Sequence, residues 1–109
     1  MIFLSYKMKH SLDTYQLFFG SLSNPNRLQI INLLRKGKRN VTEICQDTGF
    51  EQTMVSHNLK RLETCGMVFA TKVGKYKYYA LNKKTIRPLM KMIDEHMHEY
   101  CEHVVHKKN

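Results

Sequence analysis

The chain is poor in acid. Asp and Glu number 9 against 18 Lys and Arg, for a net charge of +9. A field of that sign attracts polyanions, so nucleic acid is the first partner implied and an anionic membrane surface the second. The basic residues are spread along the chain and not gathered on one amphipathic helix, which disfavours the membrane. No nucleophile–base pair, Gly-rich phosphate loop or pair of carboxylates stands at a useful spacing, so an enzyme is not expected. The three cysteines, Cys45, Cys65 and Cys101, form no Cys-x-x-Cys pair, and their odd number argues against a secreted disulfide framework. The apolar start from Met1 to Leu4 is too short for a signal-peptide core or a bilayer span. The cytoplasm is the expected compartment. Repeats and low-complexity stretches are absent.

Hydrophobic residues at 42% and charged residues at 25% are the mix of a folded globular chain. At 109 residues, one domain over 1–109 is expected. A domain of this size buries only about two-thirds of its unfolded surface and gains from dimerisation.

Residues 1–10 read as an arm. From Ser11, a good cap, Leu12, Tyr15, Phe18, Phe19 and Leu22 recur at helical spacing. Asn24 and Pro25 then suit the N-cap and first position of a second helix carrying Leu28, Ile30, Ile31, Leu33 and Leu34; the two helices are expected within 11–36. Val41 to Gln46 predicts a short helix with Ile44 and Cys45 inward. Gly49 supplies a positive φ in the turn that follows. A further helix over Gln52–Cys65 has Val55, Leu59 and Leu62 on its apolar side, so 41–65 reads as a helix-turn-helix. The period then changes. Met67–Lys72 and Tyr76–Leu81 are β-rich runs around Val73-Gly74-Lys75, a hairpin over 67–81. From Thr85 to about His106 an apolar stripe of Ile86, Leu89, Met90, Ile93, Met97, Tyr100, Cys101 and Val104 predicts a long helix. This stripe is longer than so small a core can cover, and a second subunit is the economical cover. The expected fold is mostly α with one small hairpin, in the order α-α-α-α-β-β-α.

In the fourth helix, Gln52, Thr53, Ser56, His57 and Lys60 fall on the face opposite the apolar positions. Short polar residues at the start of a helix, backed by cations, suit a major groove, and Gln pairs with adenine N6 and N7. Lys60 and Arg61 suit phosphate, as do Lys72, Lys75 and Lys77 on the hairpin. The plain alternatives are a solvated helix face and a solvated hairpin.

The order of elements and five segments resemble the ArsR/SmtB family of metal-sensing winged helix-turn-helix repressors. Leu22-Ser23-Asn24-Pro25-Asn26-Arg27-Leu28-Gln29-Ile30 is similar to the entry to that family's second helix. Glu43-Ile44-Cys45 with Gly49, the run Gln52 to Leu62, Gly66-Met67-Val68 and Gly74 to Tyr79 are similar to its later motifs. The resemblance spans about residues 15–106. It implies a homodimer formed by the first and last helices, which places two recognition helices on double-stranded DNA. It also implies sites for metal ions. Where the family carries Cys-Val-Cys before the helix-turn-helix, this chain has Asn40-Val41-Thr42. On the last helix, Asp94-x-His96 and His103-x-x-His106 resemble the two halves of a site shared between subunits, with a gap about one turn shorter. The candidate ligands are His96, Glu99, His103 and His106, with Asp94 a further one. Such ligands suit Zn²⁺, Co²⁺ or Ni²⁺. Cys45 and Cys65 read as structural. Oxidation of Cys101 against its symmetry mate is a second sensing route, and a DNA binder with no effector a third. The rival function is a winged-helix module that binds a protein or RNA.

Overall fold

The computed structural model describes residues 2–104, with side chains from residue 12 onward. Its elements are α1 (Ile2–Leu22), α2 (Pro25–Leu34), α3 (Val41–Thr48), α4 (Gln52–Thr64), β1 (Val68–Val73), β2 (Tyr76–Leu81) and α5 (Ile86–Tyr100). This is the expected order, with one difference at the start. α1 begins at Ile2, so the stretch read as an arm is helical and Ser11 lies within the helix instead of capping it. No Pro or Gly interrupts residues 2–19, so nothing there stops a helix from extending.

Local chemistry sets the boundaries that matter. Asn24 caps α2 by accepting from Arg27 N at 3.0 Å, and Pro25 follows in the first turn. Asn40 and Glu43 form a capping box on α3: Asn40 Oδ1 accepts from Glu43 N at 2.8 Å, and Glu43 Oε1 accepts from Asn40 N at 3.0 Å. Gly49 ends α3 at φ +78° and donates to Cys45 O at 2.8 Å. That left-handed residue turns the chain into α4 within three positions.

One core lies beneath these elements. Ile30, Ile31 and Leu34 of α2, Ile44 of α3, and Val55, Leu59 and Leu62 of α4 have no exposed surface. Val68, Leu81, Ile86 and Met90 close it from the hairpin and α5. Cys45, expected inward, is only partly buried beside Ile44.

The hairpin is antiparallel, from Val68 opposite Leu81 to Val73 opposite Tyr76. Its loop is Gly74 and Lys75, one residue shorter than the expected Val73–Lys75 turn. Gly74 has φ +63° and among the described residues no non-glycine residue, Lys75 included, has positive φ, which is the pattern of a II′ loop. The outer edge of β2 is tied to the helices by Arg39, which exchanges both backbone bonds with Tyr79. Asn82 then holds the base of the hairpin. Its side chain donates to Gly66 O at 2.9 Å and accepts from Lys84 N at 3.0 Å, while its carbonyl accepts from Ile86 N and Arg87 N.

α5 divides along its length. Its first half packs on the core through Ile86 and Met90, with Leu89 and Ile93 partly covered. Its second half leaves Met97 and Tyr100 exposed, with Val104 beyond its end. The helix stops at Tyr100, where Cys101 takes φ −113°, and a short helical turn follows over 102–104. The continuous helix expected to His106 is therefore interrupted, and His106 lies outside the described residues.

Candidate nucleic-acid interface

α4 is held by a buried polar network that its apolar periodicity does not announce. Asn58 lies within the Val55–Leu62 stripe and is 5% exposed. A buried amide needs a partner, and Arg27 supplies it, donating through Nη1 to Asn58 Oδ1 at 3.1 Å. Arg27 Nε also donates to Ser21 O at 2.8 Å and Nη2 to Gly20 O at 3.2 Å. Ser21, fully buried, donates through Oγ to Leu17 O at 2.8 Å. With its proton so committed, Ser21 Oγ accepts from Arg61 Nε at 3.0 Å and lies 3.0 Å from Cys65 Sγ. The network joins α4 to the α1–α2 junction and sets the roll of the recognition helix. Arg27, Ser21 and Asn58 are the functional positions missed in the sequence. The available signal was Asn58, a polar residue three from Val55 and four from Leu62.

This packing sorts the sequence-expected residues. Gln52, Thr53, Ser56, His57 and Lys60 are all exposed and share the outer face of α4. Arg61 does not stand with them. It is partly buried and its Nε is turned to Ser21, because its position on the helix faces α1. Glu51 occupies the N-cap of α4 without a side-chain cap bond, and the first turn holds no acidic residue. The first amides of α4 are thus left to solvent at the positive end of the helix dipole, an arrangement that favours phosphate.

The hairpin adds the cations. Lys72 and Lys77 are directly opposed across the strands, and like charges so placed repel. A phosphate near the pair relieves that repulsion. Lys75 sits at the tip with its ammonium 5.8 Å from the Tyr76 ring, and Lys77 lies 5.5 Å from the Tyr79 ring. All three lysines are exposed.

Among the described residues the expected metal ligands do not come together in one protomer; His106 lies outside them. Asp94 pairs with Arg35 at 2.7 Å. His96 packs on Tyr100 with ring centroids 4.9 Å apart, and His98 Nδ1 lies 3.5 Å from Glu102. α5 ends at Tyr100, so His103 lies beyond the helix that carries His96 and Glu99. Among the described residues no three His, Cys, Asp or Glu side chains converge on a common point, so the residues present do not fit a metal ion within a single chain. Nor, among those residues, is any helix long and apolar enough to cross a membrane.

Known proteins share this arrangement. Residues 24–69, from the α2 cap through the start of the hairpin, match the family model of bacterial regulatory proteins of the arsR family. The chain is 36% identical over 90 residues to the HTH-type transcriptional regulator Rv0324 of Mycobacterium tuberculosis, covering 79% of this chain but 40% of that protein. It is 33% identical over 81 residues to the HTH-type transcriptional regulator NmtR of the same organism, covering 72% of this chain and 68% of NmtR. Among solved structures, the homodimeric winged helix-turn-helix DNA-binding domain of Mb0332 from Mycobacterium bovis, described as a possible ArsR-family regulator, superposes with a TM-score of 0.81 at 32% identity. That match covers 89% of this chain and 90% of the domain.

Proposed function

The chain belongs to the arsR family of bacterial regulatory proteins, and from that premise we propose that it is a homodimeric, cytoplasmic, sequence-specific repressor of transcription. The observation that carries this reading is the outer face of α4. Gln52, Thr53, Ser56, His57 and Lys60 stand exposed there over buried Val55, Leu59 and Leu62, beside the lysines of the hairpin. Gln52 and Thr53, at the start of the helix, and Ser56 one turn on face base edges; His57 and Lys60 face base or backbone. Lys72, Lys75 and Lys77 lie along the adjacent backbone or minor groove. The regulatory act is occlusion of a promoter by the bound dimer.

Support for the dimer comes from apolar surface left open at both ends of the chain. Leu12, Tyr15 and Phe19 of α1 are 74%, 59% and 58% exposed. Met97, Tyr100 and Val104 are open at the other end, and clustered exposed apolar side chains mark an interaction surface. A two-fold axis through these helices separates two α4 helices by about one DNA turn, roughly 34 Å.

DNA affinity should fall steeply and log-linearly with salt, because each Lys or Arg on a phosphate releases a counterion. Fluorescence titration of duplexes across salt concentrations measures the slope. A duplex library bound without sequence preference at every salt concentration would leave the repressor reading without support, and the interaction-module alternative would take its place.

Control by Zn²⁺, Co²⁺ or Ni²⁺ is the alternative to a DNA binder with no metal effector. With Asp94 engaged by Arg35, such a site draws on His96, Glu99, His103 and His106 from two protomers. Operator binding by the dimer is expected to be unchanged in the presence of a chelator. A change on chelation, reversed by Zn²⁺ and absent after His96→Ala with His103→Ala, would establish metal control instead.

A further inference from the structure

An open cleft of about 860 Å³ lies between the C-terminal end of α2 and the first half of α5. Its walls carry five cations, Arg35, Lys36, Lys83, Arg87 and Lys91, and a single carboxylate, Asp94. Part of this charge has a local reason. Arg35 and Lys36 follow the last turn of α2, where cations complement the helix dipole. Arg87 Nη1 donates to Arg35 O at 2.8 Å, satisfying a carbonyl that the end of α2 leaves open. Lys36, Lys83 and Lys91 form no ion pair among the described residues, and Lys83 and Lys91 do not belong to α2. Holding this many like charges around one concavity costs free energy that a bound polyanion returns.

The two arginines are already positioned. Arg35 is fixed by Asp94 at 2.7 Å and by Asn32 Oδ1 at 3.2 Å. Arg87 is fixed through one Nη and keeps Nε and the other Nη without a hydrogen-bond partner among the described residues. A guanidinium held at one end, with donors to spare and three exposed ammonium groups around it, matches the several oxygens of a phosphoryl group.

We propose that this cleft binds a small phosphate-bearing anion and that occupancy clamps α2 to α5. No lining residue belongs to α3, α4 or the hairpin, so the cleft is separate from the proposed DNA face, and its concavity suits a small ligand better than a duplex. The consequence is regulatory. α2 carries Arg27 in its first turn, which holds α4 through Asn58, while α5 carries the open apolar end of the proposed dimer surface. An anion bridging α2 to α5 therefore favours one orientation of the DNA-reading unit against the dimer axis. This consequence rests on the DNA-binding reading; the binding event does not.

Inorganic pyrophosphate is the probe. Calorimetric titration of the full chain at constant ionic strength is expected to show saturable binding, one ion per protomer. Lys36→Gln with Lys91→Gln should weaken it by about tenfold or more, whereas Lys75→Gln with Lys77→Gln should change it by less than about twofold. Both lysines of the first pair are exposed and unpaired, so thermal melting should confirm an intact fold. Absence of saturable binding, or equal loss in the two double variants, would overturn the proposal. Titration with a random-sequence duplex separates the sources of phosphate. Lys36→Gln with Lys91→Gln should leave duplex affinity within about twofold. A loss as large as that of the hairpin variant would mean that DNA backbone occupies the cleft and would overturn the proposal in favour of an extended DNA footprint.

Discussion

Gln52→Ala combined with Ser56→Ala is expected to lower affinity for the operator by roughly 10- to 100-fold and to leave binding to random duplex nearly unchanged, since a good base contact discriminates by about 1–3 kcal/mol. The split follows from where these residues stand. Both are exposed on α4, and neither side chain takes part in a hydrogen bond of the fold among the described residues. Alanine is the better helix former at both positions, so the helix and its packing through Val55, Leu59 and Leu62 should survive. Non-specific affinity comes from cations on phosphate, and Lys60, Lys72, Lys75 and Lys77 are untouched. Parallel titrations of operator and random duplex measure the ratio. Equal loss on both would show that Gln52 and Ser56 touch backbone alone and would move base readout to Thr53 and His57.

The second large effect concerns assembly. Tyr15→Asp together with Tyr100→Asp should convert the dimer to monomer and reduce operator affinity by a factor on the order of 10²–10⁴, the gain that linking two binding units provides. Tyr15 is 59% exposed and Tyr100 is 62% exposed in the single chain, so neither holds the core, and the monomer should keep its helical content. An uncompensated carboxylate in an apolar interface is costly, and two per protomer enter the interface four times in a symmetric dimer. Sedimentation at micromolar concentration gives the assembly state, circular dichroism the fold. A variant that stays dimeric would place the interface elsewhere on the chain. A monomer with full operator affinity would remove the need for two half-sites.

Much of this was legible in residue order, for local reasons. Asn24 with Pro25, Gly49 at φ +78° and Gly74 in the hairpin loop are short-range devices, and short-range chemistry is written in adjacent letters. Alternation between Val55, Leu59 and Leu62 and the polar face of α4 is likewise a property of one helix. The C-terminal histidines show where such reasoning stops. Projecting His96, Glu99 and His103 onto one flank assumes an unbroken helix, and the break at Cys101 removes the assumption. Arg61 was assigned to phosphate by its charge, and its place against α1 assigned its Nε to Ser21.

By itself, the sequence determined the element order, the basic character and the polar face of α4, because periodicity, caps and charge are properties of neighbouring residues. Tertiary structure alone decided three things. It buried Asn58 and so required Arg27 as partner, setting the roll of α4. It engaged Asp94 with Arg35 and so withdrew that carboxylate from the histidines. And it brought the end of α2 against the start of α5, gathering into one cleft cations that lie more than forty residues apart in the chain. Each depends on which helix faces which, and that is fixed by the packing of one shared core rather than by any single stretch of chain.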